Sequence, residues 1–94
     1  PGAFGCVFGV FADKEYEKML DLLCERISVF ILVRPTDPRG LDPEIAKSYL
    51  EKKGIRAFVS QSVKDGLKLG DQMEMNFVIC GSLSLLKEAG EWKQ

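Results

Sequence analysis

The sequence C-V-F-G-V-F-A-D-K at Cys6–Lys14 joins a wholly apolar segment to a polar turn. Continuous apolar runs rich in β-formers are typical of strands that are buried on both faces. We therefore interpret Cys6–Phe11 as a buried strand and the following residues as its passage into a helix. A similar junction, Cys80-Gly81-Ser82-Leu83, closes a later apolar run. Because ligands of open α/β sheets bind where such strands end, the two junctions predict a small-molecule site.

The rest of the chain repeats the alternation of strand and helix. Further strands are predicted at Ile27–Val33, Ile55–Val59 and Asn76–Cys80. The predicted helices are Glu15–Arg26 with Asp13 as N-cap, Asp42–Lys53 ended by Gly54, Val63–Leu69 capped by Ser62 or Ser60, and Gly81 through Ala89. This order predicts one α/β domain over residues 1–94, a Rossmann-like three-layer fold of four β-α units with a mostly parallel sheet. The phenylalanines within the strands are expected in the core: Phe8, Phe11, Phe30, Phe58 and Phe77.

Composition narrows the class of protein. The chain has 94 residues, enough for one small domain, with 46% hydrophobic and 29% charged residues and a net charge of -1. The sequence has no excess of basic residues that would indicate nucleic-acid binding. It also has no run of charges of one sign that would indicate binding to a membrane surface. No apolar run approaches the roughly 18 to 20 residues that span a bilayer. Without a signal peptide, we expect a cytoplasmic protein, and Pro1 in place of Met indicates a piece of a longer chain.

Cysteine and histidine usage restricts the chemistry. Cys6, Cys24 and Cys80 lie in apolar stretches without C-x-x-C spacing, which indicates buried thiols in a reducing compartment rather than disulfides or zinc ligands. Histidine is absent, so imidazole bases, Ser-His and Cys-His pairs and His-ligated metals are excluded. Any chemistry must use Lys, Arg, carboxylates, hydroxyls or backbone amides, and we predict no metal site.

Four features near the strand ends are candidates for binding an anion. Lys14 opens a helix, where a cation opposes the helix macrodipole, so it is either a solvated lysine or the receiver of a carboxylate or phosphate. Gly81-Ser82 is either a helix cap or an anion site made of free N–H groups and a hydroxyl. Arg34 and Arg39 flank a proline-rich loop, which they either tie down or use to clamp an anion.

Four segments in order carry a resemblance to a known family. They are Val7–Lys14, Val33–Gly40 (V-R-P-T-D-P-R-G), Ser62–Leu67 (S-V-K-D-G-L) and Val78–Leu83 (V-I-C-G-S-L). Together they span most of the chain, which resembles part of the C-terminal domain of the folylpolyglutamate synthase/dihydrofolate synthase family, within the Mur ligase superfamily.

The resemblance implies a parent enzyme that uses ATP and Mg²⁺ to activate a folate or pteroate carboxylate as an acyl phosphate, which the amine of L-glutamate then attacks. It implies that Lys14 and Ser82 contact the incoming glutamate. Asp13, Arg34, Arg39 and Gly81 would support the loops or make secondary contacts. ATP and Mg²⁺ would be bound mainly by an N-terminal ATPase domain of the same parent chain, the expected partner of this one.

The chain departs from the family pattern in two places. It lacks the Asp-Gly-Ala-His-Asn-Pro strand and turn that begins the family's domain, and Ser84 stands where an aromatic residue often follows Gly-Ser-Leu. We therefore expect the isolated chain to be inactive. With that first strand missing from inside the sheet, the other four must close the gap or pair between chains, so self-association is expected.

Two other functions stay open at this point. One is a peptidoglycan-precursor ligase domain with the same chemistry and another amino acid. The other is a non-catalytic α/β module that binds a small anion or a partner protein. The Pro-Arg loop and the Gly-Ser-Leu ending favour the folate branch.

Overall fold

Strands and helices alternate along the computed structural model, which describes residues 4–12, 15–35, 38–73 and 76–81. In chain order the elements are β1 (Phe4–Gly9), α1 (Tyr16–Leu23), β2 (Ile27–Leu32), α2 (Pro43–Lys52), β3 (Arg56–Val59), α3 (Val63–Gln72) and β4 (Asn76–Gly81). The predicted alternation is confirmed for these elements, whereas the predicted helix from Gly81 through Ala89 lies outside the described residues. None of the helices in these ranges has the length and apolar character that crossing a bilayer demands.

The strands form one sheet in the order β3-β2-β1-β4, and all neighbouring pairs are parallel. The chain therefore builds from β1 to β3 on one side and returns to β4 on the other side of β1. This arrangement confirms the predicted Rossmann-like α/β fold. Because β1 pairs directly with β4, the described strands close without a gap; pairing between chains stays a prediction.

Helices cover both faces of the sheet. Phe8 of β1 belongs to a buried cluster with Leu20 of α1 and Leu50 of α2. The neighbouring Val7 points to the opposite face, where it belongs to a second cluster with Leu67 of α3. Successive side chains of a strand point to opposite faces, so an apolar strand such as β1 needs helices on both sides. The result is the predicted three-layer sandwich.

The predicted aromatic core is confirmed only in the middle of the sheet. Phe8 and Phe30 are buried and meet edge to face, with ring centroids 6.4 Å apart. The other three are only half-buried. Phe77 still packs against the cluster on the α3 face, whereas the assignment of Phe11 and Phe58 to the core is wrong. Phe58 and Phe77 lie on β3 and β4, the edge strands of the described sheet, and Phe11 lies beyond the end of β1.

The predicted ends of α2 and α3 follow from capping chemistry. Asp42 accepts a hydrogen bond from the Glu44 N–H at 3.0 Å, and Pro43 occupies the first turn of α2. Gly54 follows α2 with a φ of 78°, a left-handed conformation that favours glycine. At α3 the cap is Ser62, whose hydroxyl accepts from the Asp65 N–H at 3.1 Å. These contacts confirm the caps and select Ser62 over Ser60.

The first helix corrects two predictions. α1 begins at Tyr16 with Glu15 as its N-cap and no side-chain cap bond, so the choice of Asp13 as N-cap is wrong. The helix also ends at Leu23 rather than Arg26. Residues 24–26 form a turn, in which the Arg26 N–H donates to the Leu23 carbonyl at 3.0 Å, because the chain must reverse before entering β2.

The third helix is longer than predicted. It continues through Gly70 to Gln72 instead of ending at Leu69. A Cβ on Gly70 would lie 3.4 Å from the Phe77 ring, so this glycine lies where the helix packs closely against β4. Packing against the sheet thus outweighs the low helix propensity of glycine, which costs about 1 kcal/mol relative to alanine.

The Cys6 side chain is buried, and the Cys24 side chain is half-buried. Burial raises the pKa of the Cys24 thiol, so it stays protonated and weakly reactive at neutral pH. Both agree with the prediction of thiols in apolar surroundings. The side chain of Cys80 lies outside the described part of the structure.

Candidate functional site

The ends of two strands lie side by side at the carboxyl edge of the sheet. Gly9 is the last residue of β1 and is in register with Gly81, the last residue of β4. Strand order reverses between β1 and β4, since β2 and β3 lie on the other side of β1. In open α/β sheets this reversal opens a crevice where ligands bind. The two junctions singled out in the sequence are therefore adjacent, which their spacing alone did not reveal.

The structure describes some of the predicted site residues. Gly81 ends β4, and Arg34 and Arg39 are exposed side chains of the loop that follows β2. Those outside the described residues are Asp13, Lys14 and Ser82. Their roles stay predictions. The described part of the site consists of the backbone that leads to these residues and of the loop that carries Arg34 and Arg39, which we call the arginine loop.

The arginine loop is tied by its backbone to the extension of β1. Phe11 and Gly40 form an antiparallel bridge. Hydrogen bonds flank this bridge on both sides: the Ala12 N–H donates to the Arg39 carbonyl at 2.7 Å, and the Leu41 N–H donates to the Val10 carbonyl at 2.8 Å. The described parts of two motifs that are separate in the sequence, residues 7–12 and residues 33–35 with 38–40, are thus joined at this edge.

Arg39 lies over an aromatic ring at the same edge. Its guanidinium carbon is 4.5 Å from the centroid of the Phe11 ring, a contact worth about 0.5–1 kcal/mol at an exposed site. The planar guanidinium presents donors that match a carboxylate. The sequence did not reveal this contact, because Phe11 was predicted to lie within a buried strand, where an aromatic side chain indicates core. Only the bridge to Gly40 pairs it with the arginine.

Two glycines allow the close approach of the loop. A Cβ on Gly9 would lie 2.7 Å from the Val33 carbonyl oxygen, and one on Gly40 would lie 2.9 Å from the Pro35 carbonyl oxygen. Both distances are too short for a carbon–oxygen contact, so any side chain would push the loop off the sheet. The glycines therefore fix where Arg34 and Arg39 lie relative to β1.

A small cavity lies at this edge, where the start of α2 meets the sheet. Its volume is about 10 Å³, and its lining includes Gly9, Leu41 and, from α2, Pro43 and Ala46. That volume holds about one water molecule. This cavity is therefore too small for an organic ligand, and the described groups that could meet one, Arg34 and Arg39, lie on the rim of this edge.

The first turn of α1 carries the opposite charge. Glu15 and Glu17 border a shallow depression of about 260 Å³ with Tyr16 and Lys18. The Lys18 ammonium is 3.3 Å from a Glu15 carboxylate oxygen, both exposed. Exposed pairs of this kind contribute little stability. The rim thus offers guanidinium groups on the loop after β2 and carboxylates at the start of α1. Within the described ranges, no cluster of three or more His, Cys, Asp or Glu side chains could hold a metal ion.

A polar contact between helices lies away from this edge. The Tyr49 hydroxyl donates to Asp21 Oδ1 at 2.6 Å, and the Lys53 Nζ is 2.9 Å from the same oxygen. These two hydrogen bonds lower the pKa of Asp21, and the carboxylate raises the pKa of Tyr49 and Lys53. The cluster joins α1 to α2 on one face of the sheet and has the character of a structural support.

No protein-family model matches the chain, and no curated protein matches it. Solved structures of folylpolyglutamate synthases are similar in fold. The Mycobacterium tuberculosis folylpolyglutamate synthase complexed with ADP and AMPPCP matches 98% of this chain with a TM-score of 0.88 at 17% identity. The Yersinia pestis c092 bifunctional folylpolyglutamate synthase/dihydrofolate synthase, complexed with AMPPNP and Mn ion, matches 99% with a TM-score of 0.81 at 20% identity.

The match covers 24% of the first of these proteins and 23% of the second, so this chain spans about a quarter of their length. At these sequence identities the structural similarity establishes the fold and not the activity. The resemblance seen in the sequence is thus confirmed in three dimensions: the chain has the parallel α/β fold found in part of the folylpolyglutamate synthases.

Proposed function

We propose that this chain is the C-terminal, substrate-side domain of an ATP-dependent ligase. The ligase adds L-glutamate to dihydropteroate or a (tetrahydro)folate through an acyl phosphate. Two observations support the proposal: the ordered sequence motifs, and the shared fold with folylpolyglutamate synthases. The chain spans about a quarter of the length of those proteins, and we propose that ATP and Mg²⁺ are bound mainly by an N-terminal domain of the same parent.

The register of Gly9 with Gly81 carries the proposal. Lys14 follows the end of β1 by a few residues, and Ser82 follows the end of β4 directly. The adjacency of the two strand ends favours a common ligand for these side chains. Glutamate suits such a pair, because its two carboxylates must be held while its amine is aimed at the acyl phosphate.

The arginine loop is proposed to complete the anion site. Arg39 lies on a loop whose backbone is bonded to Ala12, the last described residue before Asp13 and Lys14. Stacking on Phe11 limits the motion of its guanidinium, which reduces the entropy lost when a carboxylate binds. In this proposal Arg39, and less directly Arg34, receives the second carboxylate, and Asp13 and Gly81 support the two turns.

The isolated chain is proposed to be inactive. Acyl phosphate formation needs a nucleotide and a metal ion, and the described residues provide no metal cluster. A complete parent enzyme is therefore the form in which activity should be measured. ATP-dependent amide formation by the purified chain would contradict this part of the proposal.

The test is ATP-dependent incorporation of L-glutamate by the full-length parent, offered dihydropteroate and tetrahydrofolate separately. Lys14→Ala and Ser82→Ala should each raise KM for glutamate by about tenfold or more, since each removes a hydrogen bond to a charged group. Lys52→Ala and Ser48→Ala, exposed positions on α2, are the matched controls and should leave KM unchanged.

The outcomes separate the alternatives. Incorporation that is lost in the site variants alone supports the glutamate ligase. Incorporation of another amino acid onto a peptidoglycan precursor would assign the chain to that ligase class instead. If the parent forms no amide with any acceptor, the chain is a binding module and the proposal fails.

A further inference from the structure

The arginine loop carries a second exposed guanidinium, whose part in the proposed function is secondary. Arg34 and Arg39 are both exposed, and Arg39 lies over the Phe11 ring. Arg34 lies at the start of the loop, directly after Val33, whose N–H donates to the Phe8 carbonyl at 2.9 Å. Arg34 therefore marks the carboxyl end of β2, the strand that lies on the other side of β1 from β4.

The backbone of Arg34 is held on both sides. Val33 before it and Pro35 after it are buried, and a residue that precedes proline is restricted to extended conformations. Pro35 lies between two glycines, since a Cβ on Gly9 would be 3.4 Å from Pro35 Cδ and one on Gly40 would be 3.1 Å from it. The Arg34 stem also lies against the loop, because a Cβ on Gly40 would be 3.0 Å from Arg34 Cγ. A charge on so restricted a chain loses little entropy when a ligand binds.

Arg34 lies one strand beyond the place proposed for glutamate. Neighbouring strands are about 4.8 Å apart. The order at this edge is β4, β1, β2, so the end of β2 is about 10 Å from the end of β4. The carboxylate carbons of glutamate are separated by four carbon–carbon bonds and are therefore about 5 Å apart. A glutamate that bridges the ends of β4 and β1 thus extends over one strand spacing and ends short of β2.

The two acceptors of the proposed ligase differ in the charge that they bring to this edge. Dihydropteroate has one carboxylate, which is consumed when the acyl phosphate forms. A folate ends in glutamate, which has two carboxylates, so one stays anionic after the other has been activated. The remaining carboxylate is about 5 Å from the reacting one, which is within reach of a cation beside the site of the reaction. Recognition of that carboxylate would distinguish the two acceptors.

We propose that Arg34 binds the carboxylate that a folate acceptor keeps, and that it thereby sets the preference of the ligase between folates and dihydropteroate. This inference rests on the proposed function. A planar guanidinium matches a carboxylate with two parallel hydrogen bonds. In this arrangement Arg39 serves mainly the incoming glutamate and Arg34 mainly the acceptor, so the loop holds two neighbouring anions apart. Arg34 is a specificity-determining residue that contacts no bond that forms or breaks.

Steady-state kinetics of the full-length parent test the proposal, with dihydropteroate and tetrahydrofolate as separate acceptors. In Arg34→Gln the ratio of KM for tetrahydrofolate to KM for dihydropteroate should rise about tenfold or more, since a hydrogen bond to a charged group is lost. Arg34→Lys keeps the charge without the paired donors and should give a smaller rise. Arg39→Gln should instead raise KM for glutamate with both acceptors and leave the ratio unchanged.

The matched control is Arg26→Gln. Arg26 is an exposed arginine that directly precedes β2, at the opposite edge of the sheet from Arg34. Its substitution removes the same charge from the other end of the same strand, so it should change neither the ratio nor KM for glutamate. Far-UV circular dichroism establishes that each variant is folded.

A modified acceptor identifies the group that Arg34 contacts. Tetrahydrofolate has two monoamides, and the one that is still glutamylated keeps the reacting carboxylate and has an amide in place of the other. In the wild type this amide should raise the acceptor KM about tenfold. In Arg34→Gln it should raise KM by less than about twofold, because the partner of the missing carboxylate is already gone. This comparison also decides the proposal for a parent that accepts folates alone.

Three results would overturn the proposal while amide formation by the wild type leaves the proposed function standing. They are effects of Arg34→Gln and of the amide that multiply independently, a KM that rises equally for both acceptors, and a parent that uses dihydropteroate but no folate. If the wild-type parent forms no amide with either acceptor, the proposed function itself fails, and the assignment of Arg34 fails with it.

Discussion

The two faces of the sheet achieve burial by different means. On the face covered by α1 and α2, large side chains fill the space: Phe8, Phe30, Leu20 and Leu50 are each no more than 1% exposed. On the face covered by α3, glycines, which have no side chain, allow close packing. A Cβ on Gly66 would lie 2.7 Å from Val33 Cγ1, and one on Gly5 of β1 would overlap the Phe77 ring.

This difference teaches which kind of change each face tolerates. A face filled by large side chains is sensitive to lost volume, because its neighbours cannot close the cavity. A face built on glycine contacts is sensitive to added volume, because the helix must move away from the sheet. Substitutions of opposite sense therefore distinguish the two faces.

The largest effect is expected from Phe30→Ala. The ring is fully buried and meets Phe8 edge to face, so its loss should lower the free energy of unfolding by about 3–5 kcal/mol. That is a large share of the about 5–15 kcal/mol that stabilises a typical domain. Urea unfolding measures the change, and Ile45→Ala, on the exposed side of α2, is the control. A loss under about 1 kcal/mol at Phe30 would contradict the packing described for this face.

A pair of glycine substitutions sharpens the comparison on the other face. Within a helix, alanine is more favourable than glycine by about 1 kcal/mol. At Gly66 the new methyl group would clash with the buried, stiff Val33 side chain, so Gly66→Ala should destabilise by up to about 2 kcal/mol.

Gly70 is the matched control within the same helix. There the added Cβ lies at an ordinary contact distance of 3.4 Å from Phe77, so Gly70→Ala should be neutral or stabilise by up to about 1 kcal/mol. Thermal unfolding of both variants provides the comparison. Equal effects at the two positions would mean that close packing of α3 does not depend on Gly66.

The smallest effect concerns the polar contact on the α1–α2 face, where Asp21 accepts from Tyr49 and Lys53. The pKa of Asp21 is lowered in the folded chain, so its contribution to stability is complete above the unfolded pKa, about 4, and is lost as the pH falls through the folded value. The pKa of Tyr49 and Lys53 is raised, so their contribution is lost only as the pH rises through their own folded values, above about 10.

Between those limits the wild type should unfold at a higher temperature than Asp21→Asn, and the difference should shrink as the pH falls below about 4. The measurement is the unfolding midpoint of both proteins across that range. Asp71→Asn, at an exposed position of α3, is the control for the removal of a surface carboxylate. A pH-independent difference would show that Asp21 acts through packing rather than charge.

Much of this architecture was predictable because local signals agreed with it. The Asp42-Pro43 start of α2 and Gly54 after it each have a local physical cause, and both were confirmed. The apolar run after Gly5 was also confirmed as a strand, but β1 lies at Phe4–Gly9 rather than at the predicted Cys6–Phe11. The ends of α1 and α3 were mispredicted, because they depend on where the chain must turn and how closely a helix packs.

The site shows the same division. The sequence indicated the two strand ends, since polar turns after apolar runs are local features. It could not indicate that Gly9 and Gly81 are in register, because that depends on strand order. The contact of Arg39 with Phe11 was equally hidden, since it follows from the bridge between Phe11 and Gly40.

The pairing of β1 with β4 also has a consequence for the order in which the chain folds. Gly9 and Gly81 belong to the first and last described strands, and such non-local pairings form late and slowly in folding. During synthesis from the N-terminus, the edge of β1 that pairs with β4 has no β4 to pair with until that strand has been made. A ligand that bridges the two strand ends would therefore bind only the completely folded chain, and by mass action it would stabilise that state alone.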